Sequence, residues 1–106
     1  MEDPKDPLEV AKKTLQNLLT QFKQRLAEEE DARAIECAQA FEQDILARQE
    51  RCMQEFDSEM MRLSQLKEQN PARSALYERA EQSARRQHFT SMTFLSSLLR
   101  DKIAQS

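Results

Sequence analysis

The chain has 106 residues, no glycine, 33% charged residues and a formal charge of −3. Without glycine it has few routes to tight turns with positive φ, which excludes hairpin-rich β folds, phosphate-cradling loops and dinucleotide folds. A net acidic chain carries no general signature for nucleic acid, and this length amounts to one domain.

In chain order, residues 1–6 read as a frayed lead-in. Asp6-Pro7-Leu8-Glu9 is a helix start: the Asp6 carboxylate can accept from an orphan amide, and Pro7 suits the first helical position. The next punctuation is Asn70-Pro71, where proline disfavours the α region for Asn70, so one helix ends near Gln69 and another begins at Pro71. Nothing between them is proline or glycine.

Apolar residues Leu8, Ala11, Leu15, Leu18, Leu19, Phe22 and Leu26 form a helical stripe. The stripe continues through Ala34, Cys37, Phe41, Ile45, Cys52, Phe56, Met60 and Leu63 with polar members at Glu30 and Arg48, at about 3.7 residues per step. A stripe that keeps its phase predicts one continuous helix over 7–69. Glu28-Glu29-Glu30-Asp31 is the alternative hinge, although glutamate breaks helices poorly. The last helix, 71–104, carries Tyr77, Ala80, Ala84, His88, Met92, Leu95, Leu99 and Ile103 on one line, with Leu76, Phe89, Phe94 and Leu98 beside it. Residues 105–106 read as a tail. The expected fold is all-α: a long antiparallel helical hairpin or coiled coil, with a three-helix bundle bent near 28–31 as the alternative.

Length then constrains function. A helix over 7–69 runs about 95 Å and the last one about 50 Å, so a hairpin leaves the stripe from Leu8 to Leu26 bare. Five leucines and a phenylalanine, at roughly 1.5–3 kcal/mol each for full burial, will not stay in water. Either the chain bends and folds that segment back, or the segment pairs with a partner protein or a second copy. Leu8, Leu15, Leu18, Leu19, Phe22 and Leu26 are therefore the first candidate partner-binding residues. Phe89, Met92, Phe94, Leu95, Leu98 and Leu99 are the second set, because their apolar face is wider than one helix neighbour needs.

Charge is unevenly distributed. Residues 27–60 hold 11 acids against 3 bases, and residues 71–106 hold 6 bases against 3 acids. The expected use of Arg73, Arg79, Arg85 and Arg86 is to face the acidic stretch of the same chain. Four i,i+4 pairs support helix: Glu9–Lys13, Glu29–Arg33, Asp44–Arg48 and Glu81–Arg85.

No catalytic, metal or cofactor site emerges. His88 is the only histidine, its helical neighbours supply no ligand set, and it reads as a partly buried seam residue. Cys37 and Cys52 lie about 22 Å apart along a helix, beyond disulfide reach, and read as small buried groups in a reducing compartment. Serines such as Ser58, Ser91, Ser96 and Ser97 lack a base or a nucleophile elbow. The start lacks a signal-peptide pattern and no apolar run reaches spanning length, so cytoplasm or nucleus is expected. The reading is a non-enzymatic helical adaptor, chaperone-like assembly factor or structural subunit that binds a protein partner or its own copy, with no nucleic acid and no small-molecule substrate. A self-contained three-helix spacer is one alternative. Peripheral membrane binding through the last helix is another, weakened by the absence of a Lys/Arg-rich polar face and of tryptophan.

Overall fold

The computed structural model describes residues 6–105. The fold is all-α, with helices α1 (Pro7–Glu28), α2 (Ala32–Gln69) and α3 (Ser74–Gln105), and a 3₁₀ turn at Pro71–Arg73 between the last two. Most of the expected frayed lead-in, residues 1–5, and Ser106 of the expected tail lie outside the described residues.

The sequence marks two of the helix boundaries correctly. Asp6 caps α1, its carboxylate accepting from the Leu8 amide at 3.1 Å, with Pro7 in the first turn. At the second joint Asn70 ends α2 with its amide donating to the Leu66 carbonyl, and Pro71 opens the 3₁₀ turn. The α-helix proper resumes three residues later than the proline suggests.

The expected continuous helix over 7–69 does not form; the chain breaks at Glu29–Asp31 and folds back. The break needs no positive φ. Glu29 (φ −77°, ψ 134°) and Asp31 (φ −74°, ψ 114°) are both extended. Asp31 caps α2 by accepting from the Arg33 amide at 3.0 Å, and the Glu29 carboxylate accepts from the Asp31 amide at 3.2 Å. Straightening the helix would recover about four backbone hydrogen bonds, worth about 0.5–1.5 kcal/mol each. It would also expose Leu8, Leu15, Leu18, Leu19 and Phe22, all buried here, at a cost on the order of 10 kcal/mol. Burial wins.

The result is the alternative expectation, three helices with the bend at 29–31, laid out as an open layer. α3 packs extensively against both α1 and α2, which touch each other only sparsely. Cα positions span 61 × 34 × 16 Å with a radius of gyration of 17.8 Å, against about 13 Å for a compact domain of 100 residues. α1 runs parallel to α3, pinned at its start by the Asp6–Arg85 ion pair and at its end by the Arg25 guanidinium donating to the Ile103 carbonyl. α2 runs antiparallel to α3, as the Lys67–Glu81 ion pair (2.6 Å) and the His88–Phe56 stack show. The core gathers Leu15, Leu19 and Phe22 of α1, Ile45 of α2, and Met92, Leu95 and Leu99 of α3. Phe22 and Phe41 meet at 5.7 Å, and the Lys102 ammonium lies 5.5 Å from the Phe41 ring centre.

Charges pair by tertiary proximity as often as by local spacing among the described residues. Of the four local pairs, Asp44–Arg48 closes, at 3.2 Å. Glu81 turns to Lys67, Arg85 to Asp6, and the Glu29 carboxylate to the Asp31 amide. The expected attraction between the basic α3 and the acidic stretch is not what joins these helices: across α2–α3 the base is on α2 and the acid on α3. The cysteine expectation also fails in part, since Cys37 is exposed and Cys52 half-buried, both as free thiols.

Two substitutions test this balance in denaturant melts. Leu15→Ala, at a fully buried site, is expected to cost about 2–5 kcal/mol, whereas Asp31→Ala should cost about 1 kcal/mol through loss of the cap. An Asp31→Ala protein as stable as wild type would show that the cap does not hold the break.

Candidate functional site

The structure divides the residues expected to meet a partner. Leu8, Leu15, Leu18, Leu19, Phe22, Met92, Leu95 and Leu99 are buried against the chain's own helices. Leu26 and Leu98 are half-buried. Phe89 (40% exposed) and Phe94 (55%) remain at the surface. The two sets that looked separate in sequence are thus largely the two sides of one internal seam, and Phe94 is the large apolar side chain among them left most open.

Helical geometry explains where Phe94 goes. Arg85 and Ile103 mark the side of α3 that meets α1. Phe94 follows Arg85 by nine residues, which at about 100° each is two and a half turns, so it projects on the opposite side of the helix. There it meets α2 at Arg48, Arg51, Cys52 and Glu55, with Thr90, Ser91 and Leu95 completing a concavity of about 430 Å³. A second hollow of about 130 Å³ adjoins it, lined by Cys52, Phe56, Glu59, Ala84, Gln87 and Ser91 among others. Ala84 and Ser91 are small, which makes the hollow. A third concavity continues along α2 past Ser58 to Arg62. The first two form a groove on the α2–α3 seam, lined by α2 and α3 alone, and the third extends it over the outer face of α2.

The polar rim of this groove belongs to α2. Arg62 donates to Glu59 at 2.7 Å, and this hydrogen bond holds the Glu59 carboxyl below its ordinary pKa. The side chains of Arg51 and Glu55 make no hydrogen bond or ion pair among the described residues, unlike Arg48 and Asp44, which pair with each other. Phe94 is legible in the sequence but the groove is not, because the groove joins residues of two helices whose relative register only the fold sets.

His88 forms part of the lining of the smaller hollow. It is 5% exposed, stacks on Phe56 at 4.4 Å and 8°, and its Nε2 has no hydrogen-bond partner among the described residues. Burial lowers its pKa below the ordinary histidine value; Lys12 of α1 adds to this and Asp57 of α2 opposes it. The seam position expected from sequence holds, with deeper burial than expected.

A different concavity, about 330 Å³, lies at the bend between Phe22, Leu26, Ala34, Ala38, Cys37 and Lys102. Among the described residues no three His, Cys, Asp or Glu side chains come together as a metal-binding group, and no helix is long and apolar enough to cross a membrane. Comparison with protein-family models, with curated proteins and with solved structures finds no match.

The His88 environment fixes a sign for pH dependence. The unfolded chain takes up a proton at His88 near the ordinary value of about 6.5, whereas the folded chain does so only at lower pH. Between those values the unfolded state binds more protons, so the contribution to stability is complete above about pH 6.5 and falls away as pH drops through the folded value. Wild-type denaturation midpoints are expected to decline between pH 7 and 5, and His88→Leu should flatten that decline. An unaltered slope in His88→Leu would place the dependence elsewhere.

Proposed function

We propose that this protein is a non-enzymatic helical interaction module that receives a partner helix on the α2–α3 groove facing away from α1. The observation that carries this reading is Phe94: a 55%-exposed aromatic beside a hollow lined by Ala84 and Ser91 and next to an unpaired arginine, Arg51. An amphipathic helix laid in such a groove would bury the Phe94 ring, place a side chain in the hollow and engage Arg51. Groups for acid–base or nucleophilic chemistry find no support here, since the one histidine is stacked and buried with no serine or cysteine nucleophile bonded to it. In this reading α1 acts as a brace. It covers the inner side of α3 and leaves the outer side for docking.

A second reading, a self-contained spacer, is favoured by a different observation: the stripe from Leu8 to Phe22 is covered within the chain.

Affinity capture from cells with wild type, Phe94→Asp and Arg51→Glu distinguishes these. Docking at the groove predicts a protein recovered with wild type and lost, by about tenfold or more, with both variants, while their circular dichroism stays wild-type. Recovery unchanged by both variants would move the interface off this groove. Recovery of nothing specific would favour the spacer.

A further inference from the structure

The charges along the exposed face of α2 have an order of their own. Asp44, Arg48, Arg51, Glu55, Glu59 and Arg62 recur at steps of three and four residues, which places them in one stripe. All line or border the groove. Measured from a midpoint near Met53, Arg51 and Glu55 each stand two positions away, and Asp44 and Arg62 each stand nine positions away. Arg48 and Glu59 stand five and six positions away. In every case the sign on one side is opposite to the sign on the other. A helix laid antiparallel on a copy of itself about that midpoint therefore meets its own complement.

The shape of the face follows the same midpoint. Phe94 flanks α2 from Arg48 to Glu55, a stretch centred just before it. The small hollow flanks α2 from Cys52 to Glu59, a stretch centred just after it and overlapping the first at Cys52 and Glu55. A two-fold axis at Met53, lying in the interface and perpendicular to the helices, exchanges these two places. It would set the Phe94 ring of each copy over the Ala84–Ser91 hollow of the other. This is the self-complementarity that an isologous dimer requires, in which a knob and its hole sit on the same patch.

We infer that the partner helix pair is α2 and α3 of a second copy of this chain, docked antiparallel through the groove. Arg51 meets Glu55 of the other copy twice about the axis, and Asp44 meets Arg62 at the flanks. The inference rests on the groove being an interface, and it adds the identity of its occupant. Arg51 and Glu55, the innermost charges, are also those whose side chains have no partner among the described residues, so pairing them breaks no ion pair seen there.

Sedimentation equilibrium on purified protein over a wide concentration range tests this, with a charge swap that only a symmetric antiparallel pair can satisfy. Wild type is expected to shift from monomer to dimer mass with concentration, less so at high salt. Arg51→Glu sets like charges opposite one another and is expected to weaken dimerisation by about tenfold or more. The double variant Arg51→Glu/Glu55→Arg restores the complement and should recover wild-type association, with helix content constant throughout. Phe94→Ala should weaken association without touching the charge pattern. Wild type that stays monomeric throughout would overturn the inference, as would Arg51→Glu dimers of wild-type strength or a double variant that does not recover. A monomer that still captures a foreign protein lost on Phe94→Asp would overturn self-pairing alone and leave the docking reading standing.

Discussion

The burial of α1 on α3 is the constraint from which the rest of the structure follows. Leu15, Leu19 and Phe22 have no cover unless the chain reverses at Glu29–Asp31, and Met92 and Leu99 have none on their inner side unless α1 returns. Both deficits are met by one reversal. The backbone achieves it with two extended residues and two carboxylate caps, which is how a chain without glycine can turn. The placement of α1 is then fixed by polar contacts at its two ends, Asp6 with Arg85 and Arg25 with the Ile103 carbonyl. The apolar seam supplies the energy, and the end contacts set the register.

Because α3 has a neighbour on each of two sides, its surface is divided rather than uniformly covered. Met92, Leu95, Ser96 and Leu99 face inward and are buried, while Phe94 and Leu76 are exposed. Beyond Arg85, toward the turn, α3 is joined to α2 by Leu63 and by the Lys67–Glu81 pair. That pair closes the seam with charge, and its hydrogen bond raises the Lys67 pKa. The layer stays open and thin toward this tip, where Met61 and Leu76 remain exposed.

The parts of this fold legible in the sequence are those decided by local chemistry. Asp6-Pro7 and Asn70-Pro71 act within a few residues of themselves, so the start of α1 and the end of α2 could be read directly. The place of the bend could be read, as the alternative hinge at 28–31, but not whether it opens: its local marks are a capping aspartate and a run of glutamates, and the force that opens it comes from leucines lying elsewhere along α1. The unbroken phase of the apolar stripe misled because α1 and α2 both turn that stripe toward α3. Phase reports which face is apolar, and it is blind to whether the axis reverses. The same limit applies to charge: Glu81 and Arg85 satisfy the local i,i+4 rule, yet Glu81 pairs with Lys67 of α2 and Arg85 with Asp6, the cap of α1. At the groove, Phe94 was legible as part of a wide apolar face, but its separation from Met92 and Leu95 needed the position of α1.

The energetics of the groove limit what kind of association it can support. Phe94 is the large apolar anchor it offers, and part of that ring is already covered, so its remaining contribution lies below the roughly 1.5–3 kcal/mol of a fully buried side chain. Exposed ion pairs contribute about 0.2–1 kcal/mol each and weaken with salt. Against these stands an association cost of at least about 4 kcal/mol in lost rigid-body freedom. One ring and a few rim charges do not exceed that cost by much. A two-fold arrangement changes the balance, because every contact occurs twice while the rigid-body cost is incurred once. Tight binding of a foreign helix would require that helix to bring apolar bulk for the hollow between Ala84 and Ser91. A surface of this composition therefore suits a symmetric, reversible and salt-sensitive contact better than a permanent one.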